Sequence, residues 1–288
     1  MSIVFKDVSY VYMPGTPFKQ TALKKINFEI KKGEFVGIIG HTGSGKSTLV
    51  QHMNGLLKPS LGVVSVEDID INGKGDAARV AKRKVGMVFQ YPEHQLFEET
   101  VYDDIAFGPR NIGLDAEEIE RRVRKALDFV GLDFNMFSGR SPFQLSGGQM
   151  RRIAIAGVVA LEPEYLILDE PSAGLDPRGR ETILDEIFKL HNSTGVTVIL
   201  VSHNMEEVAR FVDRLIVMHS GEISLDGEPR DIFRHSRDKL VQAGVDVPSV
   251  CTLLAELRGR GLPVEDIALT PEEATATIMA AMRRRDRC

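Results

Sequence analysis

Long apolar runs are missing from this sequence of 288 residues. No window approaches the roughly 18 to 20 uninterrupted apolar residues that a membrane span needs. A secretory leader is not expected, because Met1-Ser2-Ile3-Val4-Phe5-Lys6-Asp7 meets charge too early. Cysteine is scarce: Cys251 and Cys288 are the only two, and both lie late in the chain. Free thiols in a reducing cytosol explain them better than a disulfide framework or a metal site. Positive charge is not in excess. The net charge of −5 argues against broad nucleic-acid binding by charge alone, and no nucleic-acid partner is expected. Repeats and low-complexity tracts are absent as well. What is left is the composition of a cytosolic globular chain, 43% hydrophobic and 27% charged. Its length suits one large domain, or one domain with a small appendage.

The most informative stretch is Gly40-His41-Thr42-Gly43-Ser44-Gly45-Lys46-Ser47-Thr48, which fits G-x-x-x-x-G-K-[ST]. Before it, Glu34 to Ile39 reads as a short buried strand, and after it Lys46 to Leu57 reads as a helix. Glycines let the backbone amides converge, and the helix N-terminus adds partial positive charge, so a triphosphate is the expected ligand. A Gly-rich turn without a ligand would not need this order of strand, loop and helix. Lys46 would reach the β- and γ-phosphates, and the Ser47 hydroxyl would hold Mg²⁺.

Upstream, Ile3 to Tyr12 and Leu23 to Ile30 read as strands, and Val63 to Ile71 continues that type. From about Thr100 to Leu161 the texture is helical; Asp115 could cap a helix whose Ile119, Val123, Leu127 and Val130 share one face. Buried-type strands then alternate with helices. Tyr165 to Leu168, Val196 to Val201 and Leu215 to Met218 are strands, separated by helices over Arg178 to His191 and Met205 to Val212. That order predicts a parallel sheet with crossover helices. Ser249 to Arg258 and Pro271 to Arg284 read as short helices. The fold class expected is α/β. It comprises a P-loop NTPase core with a mostly parallel sheet, an N-terminal antiparallel β subdomain and an α-helical subdomain over about 92–161. A small C-terminal helical appendage completes it. The ATP-binding domain would span 1–228 and the appendage 229–288. Arg283-Arg284-Arg285 could touch phosphate or an anionic membrane, but a solvated helix end is the simpler and favoured reading.

Two further stretches carry chemistry. Tyr165-Leu166-Ile167-Leu168-Asp169-Glu170 is an apolar strand ending in two carboxylates, at the strand end where a parallel sheet places its ligand. Asp169 would hold Mg²⁺, and Glu170, one residue further out, would polarise a water for attack on the γ-phosphate. The second is Leu145-Ser146-Gly147-Gly148-Gln149, at the start of an apolar helix, which forms another anion site of the helix-terminus kind.

Phosphate loop, acidic strand end and Ser146 to Gln149 together resemble the ATP-binding cassette (ABC) ATPases. In that family the signature of one subunit covers the ATP held by the phosphate loop of another, which implies a dimer with two sandwiched nucleotides. The resemblance makes Tyr12 the aromatic that stacks on adenine, with Tyr10 and Phe18 as alternatives. It makes Gln90 the glutamine that senses Mg²⁺ and the attacking water. Ser172-Ala173-Gly174-Leu175-Asp176 becomes the loop that crosses the dimer interface, and His203 the γ-phosphate contact. The site so implied has Glu170, His203, Gln90 and Lys46 as catalytic residues. Tyr12, Gly40 to Thr48 and Ser146, Gly147, Gly148 and Gln149 bind ATP, and Ser47, Gln90 and Asp169 serve Mg²⁺. The motifs span about Ile3 to Asp226, and none is degenerate.

A narrower resemblance lies in Phe89-Gln90-Tyr91-Pro92-Glu93-His94-Gln95-Leu96-Phe97, Thr100 to Pro109 and Gln51-His52-Met53-Asn54-Gly55. These are similar to the energy-coupling factor (ECF) branch, whose ATPases drive vitamin and metal-ion importers. It implies a second ATPase subunit as heterodimer partner (a homodimer stays open), a membrane coupling protein and a substrate-binding membrane protein. It also implies a peripheral position on the cytoplasmic face of the membrane. Leu96 and Phe97 are expected to form an exposed apolar groove for coupling helices. The alternatives are an ATPase of a conventional ABC importer and a DNA-maintenance ATPase. The latter would insert a long coiled coil, yet the gap of about a hundred residues between phosphate loop and signature lacks sustained heptads.

Overall fold

The computed structural model describes residues 1–265 and 267–285. Two antiparallel strands open the chain, β1 (Ser2–Tyr12) and β2 (Gln20–Lys31), followed by β3 (Phe35–Ile39) and α1 (Lys46–Met53). Next come β4 (Leu61–Val66), β5 (Ile69–Asp70), α2 (Asp76–Arg83) and β6 (Val85–Val88). Four helices follow: α3 (Val101–Asn111), α4 (Ala116–Phe129), α5 (Phe134–Phe137) and α6 (Gly147–Val159). The alternating part contains β7 (Tyr165–Asp169), α7 (Pro177–Thr194), β8 (Thr197–Val201), α8 (Met205–Phe211), β9 (Arg214–His219) and β10 (Glu222–Gly227). The described chain ends with α9 (Pro229–His235), α10 (Arg237–Gln242), α11 (Ser249–Gly259) and α12 (Pro271–Arg285).

These elements form two sheets. The first, in the order β2-β1-β4-β5, is antiparallel; the second has six strands in the order β10-β9-β3-β8-β7-β6. From β9 to β6 the second sheet is parallel, and only β10 runs against its neighbour. Every residue of β3, β7 and β8 is buried. That is the reason these strands are continuous apolar runs: a parallel sheet covered on both faces offers no solvent side for polar residues. One face, with Val36, Ile38, Ile167 and Ile199, packs on the antiparallel sheet and α1. The other, with Phe35, Ile39, Leu166, Leu168 and Val198, packs on the helices.

Asp115 does cap α4, its carboxylate accepting the Glu118 N–H at 2.9 Å, and Ile119, Val123, Leu127 and Val130 are all buried. Elsewhere the elements depart from expectation. The α1 helix stops at Met53 instead of Leu57, where Asn54 and Gly55 turn the chain and Gly55 takes φ +72°. Val63 to Ile71 is not one strand but the hairpin of β4 and β5, reversed at Glu67 and Asp68, whose φ values are +51° and +65°. Residues with φ > 0 at both turn positions match the right-handed twist of paired strands. Leu96 is a core residue at 8% exposure, while Phe97 next to it is 57% exposed. The expected groove therefore has one exposed residue there, not two.

The C-terminal region is tied to the body in its first half. Ile232, Phe233, Leu240, Ala243, Val245 and Cys251 join the main core, whereas Leu254, Val264, Ala268, Ala274 and Ala281 form a small core of their own. Cys251 is a buried free thiol donating to the Ala268 carbonyl at 3.0 Å, and burial pushes its pKa up. Cys288 and the side chains of Arg284 and Arg285 lie outside the described residues. Among the described residues no helix is long and apolar enough to cross a membrane.

Leu127 is fully buried between α4 and its neighbours, while Glu120 on the same helix only pairs with Arg124 at the surface. Leu127→Ala is expected to cost about 2–5 kcal/mol and Glu120→Ala less than about 1 kcal/mol. Urea unfolding of the two variants measures both; equal losses would mean that the stripe does not carry the subdomain.

Candidate active site

The site is built at the carboxyl end of the parallel strands, where β3, flanked by β8 and β9, delivers the loop Gly40 to Gly45. Two glycines there are required by close approach. A Cβ on Gly40, at φ +150°, would lie 2.3 Å from the Met218 carbonyl oxygen, and one on Gly45, at φ +107°, would lie 2.7 Å from that of Ala22. The loop is thus pinned between β9 and β2, and the Ser44 N–H closes it by donating to the His41 carbonyl at 3.1 Å. Ser44 is fully buried and its hydroxyl has no partner. Lys46 donates to its own loop, to the Gly40 carbonyl at 2.7 Å and the His41 carbonyl at 3.1 Å. Burial lowers its pKa, and Glu170 and Asp169 oppose that.

β7 ends on the two carboxylates. Asp169 is buried, which raises its pKa, while a hydrogen bond from Ser47 acts in the opposite direction. Glu170 turns outward with φ +51°, a conformation that costs a non-glycine residue on the order of 1–3 kcal/mol. Its carboxylate is held from both sides: Gln90 Nε2 donates to Oε2 at 2.9 Å, and His203 Nδ1 lies 3.2 Å from Oε1. Three residues from the ends of β6, β7 and β8 therefore converge on one point beside the phosphate loop. That is a geometry for holding a water and taking its proton.

A cavity of about 730 Å³ opens there. Tyr12, Gln90, Glu170 and His203 line it, as do all of Gly40 to Thr48 except the buried Ser44; Asp169 is buried and does not line it. Tyr12 is fixed by its hydroxyl, 3.2 Å from that of Thr48, and by an edge contact with Tyr10. Tyr10 in turn packs on His52, and Phe18 does not line the cavity. Of the three aromatics considered for a purine, Tyr12 is the one in place.

Ser146 to Gln149 are not brought to this cavity. They start α6 as a capping box, in which Ser146 Oγ accepts the Gln149 N–H at 3.3 Å and Gln149 Oε1 accepts the Ser146 N–H at 3.0 Å. Ser146 and Gly147 are exposed, and Gly147 has nothing near where a Cβ would stand. Within one chain, Ser146 to Gln149 do not line the cavity that Gly40 to Thr48 line.

Several residues of this region were not legible in the sequence. Arg151 of α6, 2% exposed, makes a fork to Glu93, with Nε and one terminal nitrogen each 3.0 Å from a carboxylate oxygen. It lies over the Tyr91 ring at 5.8 Å, so the segment after Gln90 is bolted to the helix that begins at Ser146. Gly244, Val245 and Asp246, from beyond the expected domain boundary, form one wall of the cavity. A charged pair 58 positions apart, and a turn without any motif, leave no local signal.

A buried parallel sheet, a glycine loop on its central strand and a carboxylate held beside that loop define a P-loop ATPase of the cassette type. Residues 23–173 match the family described as ABC transporter. The chain is 52% identical over 279 residues to the energy-coupling factor transporter ATP-binding protein EcfA2 of Clostridium tetani, covering 97% of this chain and 96% of that one. It superposes on the structure of cbiO1 from Clostridium perfringens, part of the ABC transporter complex cbiONQ, with a TM-score of 0.72 and 38% identity. That match covers 83% of this chain and 93% of the other. A dimeric ATP-binding cassette in a post-hydrolysis state with ADP and Pi matches with a TM-score of 0.71 and 32% identity, over 78% and 98% of the two chains. This chain belongs to the ABC transporter family, among its energy-coupling factor ATP-binding proteins.

Removing Arg151 leaves Glu93 unpaired in a mostly buried place. Arg151→Ala is expected to cost about 3–5 kcal/mol, and much of that should be recovered when Glu93→Ala is added. A double-mutant cycle by denaturant unfolding reads the coupling; additive losses would mean the fork holds nothing together.

Proposed function

We propose that this chain is the ATP-hydrolysing subunit of an energy-coupling factor importer, and that it works as one half of an ATPase dimer. The reaction is ATP + H₂O → ADP + phosphate. The observation that carries the reading is Glu170, held by Gln90 and His203 at the mouth of the phosphate-loop cavity.

Each residue then has a task. Tyr12 receives the adenine face, and the loop Gly40 to Ser47, at the N-terminus of α1, takes the β- and γ-phosphates. Lys46, desolvated and resting on two loop carbonyls, exchanges those weak neutral partners for phosphate oxygens. Glu170 accepts a proton from the attacking water while Gln90 and His203 fix its direction. Ser47 and Asp169 offer a hydroxyl and a carboxylate already in hydrogen-bond contact, a hard oxygen set that suits Mg²⁺. Bound there with the nucleotide, Mg²⁺ would neutralise charge on the phosphates.

The site is half of one. The start of α6 lies away from the chain's own cavity, with Ser146 and Gly147 exposed, and this supports closure by a second subunit. The dimeric cassette with ADP and Pi supports the same arrangement. The relatives are named as an ATP-binding protein of an energy-coupling factor transporter and as part of an ABC transporter complex, which supports assembly with other subunits. In this reading those are a paralogous ATPase, a membrane coupling protein and a substrate-binding membrane protein. On this reading the chain is peripheral to the membrane on its cytoplasmic face. Phe97 and Phe107, 42% and more exposed and packed edge-on at 4.8 Å, are the apolar surface offered to that coupling protein. Motion would reach it from Gln90 through Glu93, Arg151 and α6.

Glu170→Gln is expected to keep ATP binding, to lower turnover by at least about 100-fold and to accumulate an ATP-bound dimer on size exclusion. Wild-type turnover would mean another base acts. In proteoliposomes carrying the complex captured from native membranes, Phe97→Glu should abolish uptake while ATP hydrolysis continues. Retained uptake would place the coupling surface elsewhere.

A further inference from the structure

Glu207 lies on α8, has no place in any motif of the sequence, and is 5% exposed. Its two carboxylate oxygens are shared between two loops. Ser172 Oγ donates to Oε1 at 2.8 Å, and Ser202 Oγ donates to Oε2 at 2.7 Å. Both serines are buried, at 6% and 2% exposure. Ser172 follows Glu170 by two positions, and Ser202 immediately precedes His203. The Ser202 hydroxyl also accepts the Asn204 N–H at 3.0 Å, and the Asn204 side chain caps α8 through the amides of Glu206 and Glu207. His203 is therefore bracketed on both sides by residues tied to α8.

A carboxylate is a poor choice for filling this place. Burying it costs several kcal/mol unless it is fully partnered, and an apolar side chain of similar volume is commonly no worse for stability. Among the described residues the cation paired with it is Arg180, whose Nε is 3.6 Å away and makes no hydrogen bond. The two hydroxyls are thus its main partners. What a carboxylate supplies, and an apolar residue cannot, is two acceptors on a rigid plane, one for each loop.

We propose that Glu207 is a positioning residue for hydrolysis. It sets the separation between the loop that carries Glu170 and the loop that carries His203, and so maintains their 3.2 Å contact. It touches neither the nucleotide nor the water. Its effect falls on the rate of the chemical step, because displacement of a catalytic group by about 1 Å costs on the order of 10²-fold. Nucleotide affinity rests on the phosphate loop and Tyr12, which Glu207 does not contact. The Ser172 arm extends the same tie to the segment Ser172 to Asp176, so Glu207 links that segment to His203 as well.

The inference rests on Glu170 being the base, and the test separates the two. The full chain in its purified transporter complex is assayed for kcat, KM and binding of a fluorescent ATP analogue. The set comprises wild type, Glu170→Gln, Glu207→Gln and the double variant Ser172→Ala with Ser202→Ala. Glu207→Gln keeps volume and planarity but loses one acceptor. Expected are a kcat about 10- to 100-fold down, a KM within about threefold and unchanged analogue binding. The double serine variant should reproduce that pattern. An unchanged kcat for both, or a loss of analogue binding in parallel with kcat, overturns the positioning role. If Glu207→Gln does not assemble into the complex, the serine variant decides alone by the same criteria. Full turnover by Glu170→Gln would overturn the underlying assignment of the base instead.

Discussion

The negative charge of Glu170 beside a loop built for phosphate is the constraint on which the rest of the structure turns. A carboxylate near a triphosphate is repelled by it, and a carboxylate free to rotate would swing toward solvent. Here the strained backbone at Glu170, the amide of Gln90 and the ring of His203 leave it one direction. Strain of on the order of 1–3 kcal/mol is sustainable because β7 is buried along its whole length and Glu170 N–H is tied to the Val201 carbonyl at 2.9 Å. The parallel sheet is therefore more than a scaffold. It brings the ends of β6, β7 and β8 level, so that one residue from each meets at one point.

The glycine loop and the start of α6 do not meet within the chain. The capping box at Ser146 satisfies the Ser146 N–H and the Gln149 N–H internally, while Gly147 keeps an open surface. Such a helix start is stable alone and still presents dipole and small residues to a partner. Arg151, one turn further along α6, couples that surface to Glu93 and so to the Gln90 side of the site in its own chain.

Local chemistry was legible in the sequence, and long-range chemistry was not. The placement of Gly40 to Thr48 between a strand and a helix could be read because the spacing of glycines, lysine and serine is local. The placement of Asp169 and Glu170 could be read because a buried strand announces where it ends. Asp115 and the stripe through Val130 followed from helical periodicity. Leu96 was misjudged because a single apolar residue beside an exposed one carries no period, and only packing decides which of the two turns inward. The shorter α1 and the β4–β5 hairpin turned on backbone conformations at Gly55, Glu67 and Asp68, two of which are residues not usually found at positive φ. Glu207 sits 35 positions from Ser172, so nothing short of the fold could pair them.

The C-terminal region shows how far that principle reaches. Leu240, Ala243 and Val245 are buried in the main core, and the turn that follows α10 comes back over the phosphate loop. Gly244 takes φ +64°, and a Cβ there would stand 3.2 Å from that of His41. A larger residue would press on the loop that must accept phosphate, so the tight fit constrains both sides at once. The near half of the appendage is thus a wall of the nucleotide cavity, and the half beyond Leu254 has its own small core. A displacement of α10 cannot occur without moving a boundary of the site, because Gly244 and His41 are already in contact distance and the core behind them is filled.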